Sequence, residues 1–146
     1  MSAEILQNAT SVVVVDWPTK DVPDSLARAG LEVSVHGGPE PDNWSVQAVD
    51  GHGEVIGRGT GIAPAHADIV YSFRPLNELA EILAMADQVG AKTVWLQSGK
   101  DADGKSDPKG CWFSDEDRSV ARAAVEDAGF AYVDQPYIGD AARSLS

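Results

Sequence analysis

Cysteine is almost absent from this 146-residue sequence, and no apolar stretch approaches the ~20 residues that a membrane-spanning helix needs. The single thiol, Cys111, cannot form an internal disulfide and cannot build a thiolate metal cage. The first ten residues include Glu4 and carry no basic cluster, so they do not resemble a secretory signal. These absences predict a cytoplasmic protein that makes no contact with a membrane.

Positive charge is scarce as well. Eleven Lys and Arg residues stand against 23 Asp and Glu residues, which gives a formal net charge of −12. A field of this sign repels the phosphate backbone of nucleic acids, so we do not expect a nucleic-acid partner. A phosphorylated small molecule would need a pocket where a few cations and backbone N–H groups concentrate positive potential.

The remaining composition is that of an ordinary globular chain. Hydrophobic residues make up 43% of the sequence, charged residues 23% and aromatic residues 7%. The length fits one compact domain spanning residues 1–146. We find no internal repeat, linker or low-complexity segment that would divide it.

Strand and helix signals alternate along the chain. The β-branched run of residues 11–15 predicts a buried strand, and the apolar stripe after Pro75, which ends at Gly90, predicts the clearest helix. Asp50-Gly51 between two apolar segments predicts a small antiparallel hairpin. The other predicted strands are residues 31–36, 68–73, 92–96 and 130–133, and the other predicted helices are residues 20–29, 114–129 and 140–145. This order predicts an α/β fold, a Rossmann-like doubly wound sheet of about five parallel strands with the hairpin inserted.

Ligands of doubly wound sheets bind beyond the carboxyl ends of the strands, so the residues that follow each predicted strand are the candidate site. Thr19 and Lys20 open the first crossover helix, where a hydroxyl, an ammonium and helix N–H groups suit an anion. Arg74 suits a phosphate or carboxylate, although an ion pair with Glu78 is an equally good interpretation. The complete set of candidates is Asp16, Trp17, Thr19, Lys20, His36, Phe73, Arg74, Gln97 and Ser98.

Three segments carry a family resemblance. They are Ala67-Asp68-Ile69-Val70-Tyr71-Ser72-Phe73-Arg74-Pro75, Gly90-Ala91-Lys92-Thr93-Val94-Trp95-Leu96-Gln97-Ser98-Gly99 and Ala128-Gly129-Phe130-Ala131-Tyr132-Val133-Asp134. In order and spacing they resemble the small stand-alone CoA-binding domain proteins, whose Rossmann-like fold is shared with the nucleotide-binding domain of succinyl-CoA synthetase α subunits.

The resemblance implies a parallel sheet that holds coenzyme A or an acyl-CoA by its diphosphate at the first turn. Thr19 and Lys20 would then meet phosphate, Phe73 and Arg74 the adenosine end, and Gln97 with Ser98 the pantetheine side. The first loop departs from the family pattern. Where the family has a Gly-x-Ser loop, this chain has Asp16-Trp17-Pro18-Thr19-Lys20-Asp21-Val22-Pro23, with two prolines and two added negative charges.

That divergent loop leaves a second interpretation open, in which the nucleotide site has decayed and the scaffold serves as an interaction or regulatory module, for example as a homodimer. An enzyme is the less favoured interpretation, because no paired base and nucleophile is visible. No metal site is expected, since the three histidines share no helical spacing that would bring them together as ligands.

Overall fold

The computed structural model describes residues 2–15, 20–37 and 40–145. Helices and strands alternate through most of this length. The helices are α1 (Ser2–Asn8), α2 (Asp21–Arg28), α3 (Leu79–Val89), α4 (Asp115–Asp127) and α5 (Ile138–Arg143), with a short 3-10 turn (Leu76–Glu78) before α3. The strands are β1 (Ser11–Val15), β2 (Glu32–His36), β3 (Trp44–Val49), β4 (Val55–Gly59), β5 (Ile69–Ser72), β6 (Thr93–Leu96) and β7 (Ala131–Val133).

Within the described residues, seven strands form one sheet in the order β4-β3-β2-β1-β5-β6-β7. The five strands β2, β1, β5, β6 and β7 are parallel, and the β3–β4 hairpin adds two antiparallel strands beside β2. The chain leaves β1 for β2 on one side and returns to β5 on the other. Strand order therefore reverses between β1 and β5, and this switch point is where doubly wound sheets bind ligands.

Apolar side chains alternate between the two faces of the sheet and form two cores. On one face, Val12 and Val14 pack with the buried sides of α1, α2 and α5. On the other face, Val13 and Val70 pack with α3 and α4. Helices on both faces explain why the central strands are continuous apolar runs rather than alternating ones.

The predicted fold class is confirmed, and the hairpin joins the parallel sheet as predicted. Three details differ. Helix α1 was not expected; it is anchored by Leu6, which is buried against α5, a contact that local sequence does not reveal. Strand β4 continues to Gly59, whereas the apolar segment that predicts the second strand of the hairpin covers only residues 54–56, because pairing with β3 holds the glycines extended. Helix α5 begins at Ile138, two residues before the predicted start.

A carboxylate clamps the opposite edge of the sheet, where the parallel strands begin. Oδ2 of Asp68 accepts hydrogen bonds from the backbone N–H groups of Thr10 (2.7 Å) and Ser11 (3.3 Å) and from the Thr10 hydroxyl (3.0 Å). Oδ1 lies 3.0 Å from Nε2 of His66. These hydrogen bonds, the one from the Thr10 N–H above all, lower the pKa of Asp68 to about 2. The ionised carboxylate therefore ties the start of β1 to the start of β5.

Candidate functional site

A cleft of about 320 Å³ lies at the carboxyl edge of β5 and β6, next to the switch point. Its walls are the segments that follow these two strands and the first turns that lead into α3 and α4. Phe73 and Arg74 come from the segment after β5, and Ser98 and Lys100 from the segment after β6. The remaining lining residues are Pro75, Leu76, Trp112, Phe113 and Asp117.

Three aromatic side chains give the cleft flat apolar walls. Phe73 and Phe113 are half-buried, whereas Trp112 exposes 40% of its surface. Gly99 packs directly against Phe73: it has a φ of 67°, and a Cβ there would lie 3.4 Å from the phenyl ring. Aromatic side chains of this kind are suited to stacking on a planar heterocycle such as a purine base.

The two cations of the cleft differ: Arg74 forms an ion pair with a carboxylate of the described chain, and Lys100 does not. The Arg74 guanidinium donates two hydrogen bonds to Glu78, through Nε at 3.2 Å and through Nη2 at 2.7 Å. Lys100 is exposed, and its ammonium forms no ion pair with any side chain in the described part of the chain. Asp117 adds a carboxylate from the first turn of α4. The ion pair proposed for Arg74 and Glu78 from sequence is therefore present, and Lys100 is the second cation of the cleft.

A closed loop places Lys100 and Trp112 at the cleft. The N–H of Gly99 donates to the Gly110 carbonyl (3.0 Å), and the N–H of Trp112 donates to the Lys100 carbonyl (3.2 Å), so the two ends of the loop lie side by side. Inside it, the Asp101 carboxylate accepts from the N–H groups of Asp103 and Lys105. The loop is thus a structured unit built on its own backbone hydrogen bonds.

Gln97 lies in the core rather than in the cleft. Its side chain is 1% exposed. Its Nε2 donates to the carbonyls of Asp134 (3.2 Å) and Pro136 (3.1 Å), and its Oε1 accepts from the N–H of Ile138 (2.9 Å). Both polar atoms of the amide are used within the chain, so Gln97 fixes the connection from β7 to α5.

The other candidates are divided among several places. Ser98 lines the cleft with Phe73 and Arg74, and its hydroxyl accepts from the N–H of Lys100 at 3.1 Å. His36 lies at the end of β2 in a separate, wider depression, where its ring meets that of Trp44 with centroids 4.9 Å apart. Lys20 is exposed at the N-cap of α2. Asp16, Trp17 and Thr19 lie outside the described residues.

The acidic first turn of α2 is compensated by α5. The Asp21 carboxylate accepts hydrogen bonds from the Tyr137 hydroxyl (2.8 Å) and from Nη1 of Arg143 (2.7 Å). Arg143 also pairs with Asp140. Burial and the neighbouring Asp21 raise the pKa of Tyr137 above its usual range, so the phenol stays a hydrogen-bond donor. The negative charge that Asp21 adds at this helix terminus is therefore partly offset by a guanidinium, which Asp21 shares with Asp140.

The candidates from sequence do not include six residues that line the cleft: Pro75, Leu76, Lys100, Trp112, Phe113 and Asp117. Two signals pointed toward two of them. Lys100 lies two residues after the candidate Ser98, and Trp112 is a tryptophan in a polar stretch, where exposure of an indole needs a reason. Their convergence depends on how the loop folds back on itself, which residue spacing does not encode.

Cys111 stands beside the cleft on the same loop. Burial, followed by the nearby Asp134, raises the pKa of its thiol, so the thiol is protonated at neutral pH. Among the described residues, no group of three or more His, Cys, Asp and Glu side chains is arranged to hold a metal ion. None of the described helices is long and apolar enough to span a lipid bilayer.

The order of the strands defines a doubly wound α/β protein, and the cleft lies at the carboxyl ends of β5 and β6, beside its switch point. A family model described as a CoA binding domain matches residues 39–138, which is more than half of the chain. The chain therefore belongs to the CoA-binding domain family. The matched range contains every residue that lines the cleft, and the divergent first loop lies before it.

Two solved structures share the fold. The chain is 18% identical to Prb, described as the PH1109 protein redesigned for binding, with a TM-score of 0.63 over 98% of this chain and 88% of that one. It is 13% identical to a protein of unknown function from Methanothermobacter thermautotrophicus, with a TM-score of 0.50 over 90% of this chain and 80% of that one. No curated protein matches the sequence.

Proposed function

We propose that this protein binds CoA, an acyl-CoA or a related adenine nucleotide at the carboxyl edge of its parallel sheet and performs no chemistry on it. The observation that carries the proposal is the aromatic cleft beside the switch point, which combines the rings of Phe73 and Trp112 with the cations Arg74 and Lys100. A nucleotide offers the matching partners, a flat base and phosphate groups. Membership of the CoA-binding domain family supports the same class of ligand.

The proposed ligand extends across the sheet edge from the first turn to the cleft. Its diphosphate lies near Thr19 and Lys20 at the start of α2, where helix N–H groups favour an anion. Pairing of Asp21 with Arg143 supports this placement, because the guanidinium offsets part of the negative charge at that helix terminus. The adenosine end then reaches Phe73 and Arg74, with Ser98 beside them. Gln97 makes no proposed contact, since its amide is satisfied inside the chain.

Trp112 provides the first test. Isothermal titration with CoA, acetyl-CoA, NAD and ATP is expected to give the tightest binding for CoA and acetyl-CoA. Replacing Trp112 by alanine is expected to weaken CoA binding about 10-fold, because stacking of one base on an aromatic ring is worth ~1–3 kcal/mol. Trp112→Phe should recover most of the affinity.

Val120→Ala is the matched control for that titration. Val120 is 61% exposed on α4 and does not line the cleft, so its truncation should leave CoA binding unchanged. If no heat is observed with any of the four compounds at millimolar concentration, the proposed function is wrong. If CoA binds equally well to Trp112→Ala, the ligand does not use this cleft.

An open sheet edge favours a second candidate, an interaction module that functions as a homodimer. Strand β4 forms one edge of the sheet, and on it Ile56 exposes 54% of its surface. Unpaired backbone groups and exposed apolar side chains on an edge strand can pair with a second copy. Size-exclusion chromatography showing a dimer that Ile56→Lys dissociates, together with absent nucleotide binding, would favour this function over the first.

A further inference from the structure

Strand β4 forms one edge of the sheet, and none of the other described strands pairs with its outer side. The hydrogen bonds at its two ends show which backbone groups face inward. The carbonyl of Glu54 accepts from the N–H of Asp50 at 2.7 Å. The N–H of Thr60 donates to the carbonyl of Trp44 at 2.9 Å. Because hydrogen bonds alternate along an antiparallel pair, the even-numbered residues of this segment face β3. The odd-numbered residues direct their N–H and C=O groups outward; they are Val55, Gly57 and Gly59.

Three exposed side chains of this edge share one face of the sheet. Because side chains alternate along a strand, Glu54, Ile56 and Arg58 point to the same side. Ile56 exposes 54% of its surface. Neither Glu54 nor Arg58 forms an ion pair with another residue in the described part of the chain. The edge therefore presents an acid, an aliphatic side chain and a base in a row.

This row is complementary to its own reverse. When two copies of β4 pair antiparallel about a two-fold axis at Ile56, the two isoleucines face each other. Glu54 of each copy then lies opposite Arg58 of the other. Side chains directly opposite each other in such a pair have Cβ atoms roughly 5 Å apart, close enough for an apolar contact and for an ion pair. The order of charges thus favours a second copy of this chain over an unrelated strand.

The same register also matches the backbone. Val55 of each copy lies opposite Gly57 of the other, and both residues carry outward N–H and C=O groups, so these positions supply about four hydrogen bonds across the axis. Gly57 has no side chain, so Val55 of the second copy meets no obstruction there. A shift by two residues in either direction would place Ile56 opposite a charged side chain.

We infer that two copies of this chain associate through β4, in the antiparallel register that places Ile56 on the two-fold axis and pairs Glu54 with Arg58. The inference rests on the second function proposed above, the homodimer, and it names the residues that select the partner. Three strands separate β4 from β5, so the interface does not involve the cleft at β5 and β6.

An exchange of charges tests the register. Sedimentation velocity at about 0.15 M salt measures the dimer under conditions where charges more than ~8 Å apart are largely screened. Arg58→Glu opposes two carboxylates at both ends of the interface and should weaken the dimer about 10-fold, because like charges directly opposite each other are destabilising. Glu54→Arg should have the same effect. The variant that carries both substitutions restores opposite charges and should recover the wild-type affinity.

Lys105→Glu is the matched control for Arg58→Glu. It changes the net charge by the same amount, but Lys105 is exposed on the loop after β6, far from β4 in the order of the strands, so dimer affinity should not change. If the double variant stays as weak as the single ones, the charge-matched register is wrong. A dimer that is equally stable in all these variants overturns the inference and leaves a homodimer through another surface. A wild type that stays monomeric up to millimolar concentration overturns the homodimer as well, and leaves β4 to a strand of another protein.

A cross-link tests the position of the axis. In a Cys111→Ser background, Ile56→Cys places two thiols opposite each other at a non-hydrogen-bonded pair, where Cα atoms lie roughly 4.5 Å apart, within the range that a disulfide spans. Oxidation with copper phenanthroline should convert this variant to a covalent dimer. Ile62→Cys in the same background is the control, because Ile62 is 73% exposed but lies outside β4. Equal cross-linking of the two variants would contradict the proposed axis.

Discussion

Replacing Gln97 by leucine is expected to lower the free energy of unfolding by about 3–5 kcal/mol, because each buried polar group left without a partner costs ~1–3 kcal/mol. The leucine is similar in size, but it removes all three hydrogen bonds of the amide. The carbonyls of Asp134 and Pro136 and the N–H of Ile138 would then lack their partner at the β7–α5 connection. Urea unfolding at neutral pH measures the change.

Gln88→Leu is the control for this substitution. Gln88 is exposed on α3, so the same change of side chain should alter the free energy of unfolding by less than about 0.5 kcal/mol, as is usual at surface positions. A Gln97→Leu variant that unfolds like the wild type but loses CoA binding would contradict the structural role. It would return Gln97 to the pantetheine contact that the family resemblance implies.

Asp68→Asn is expected to destabilise the protein by about 2 kcal/mol at pH 7. The pKa of Asp68 is about 2 in the folded chain against an ordinary value of 3.8, and each unit corresponds to about 1.4 kcal/mol. Because the folded-state pKa is the lower one, the ionised carboxylate stabilises the fold above pH 4. This contribution is lost as the pH falls from about 4 to about 2.

Urea unfolding of the wild type and of Asp68→Asn across pH 2–7 tests this. The difference between the two proteins should be constant above pH 5 and should shrink toward pH 2. Asp87→Asn is the matched control, since Asp87 is exposed on α3, and it should behave like the wild type throughout. A difference that does not change with pH would mean that shape and hydrogen-bond geometry, not charge, make Asp68 important.

The sequence predicts those strands and helices whose apolar residues follow a local pattern that matches the side packed in the core. The valine run of β1 is buried on both faces, and the apolar stripe of α3 faces the core and ends at Gly90, whose φ of 69° terminates the helix. Helix α1 was missed because its seven residues carry little helical signal without the packing of Leu6 against α5. Helix α1 therefore depends on a contact between residues that are far apart in the sequence, and no local sequence pattern predicts such a contact.

The sequence predicts at which edge of the sheet the candidate site lies, but it predicts only some of the residues that line it. The strand-end rule selects Phe73, Arg74 and Ser98, and the structure places all three at one cleft. It also includes Gln97, which follows β6 directly but turns into the core, because an amide side chain can serve the protein backbone as well as a ligand. Residues that reach the cleft from the far end of a loop, such as Trp112, follow no strand, so the rule omits them.

The hydrogen bond between Gly99 and Gly110 gives the loop that carries Lys100 a modular character. Its two stems stand next to each other, so a two- or three-residue link could bridge them without shifting β6 or α4. Ligand preference would then be exchangeable by transplanting one short segment between relatives, whereas the strands and helices beneath it carry the stability. Ligand preference would then depend on the loop and stability on the strands and helices, so the loop could be changed while the fold is kept.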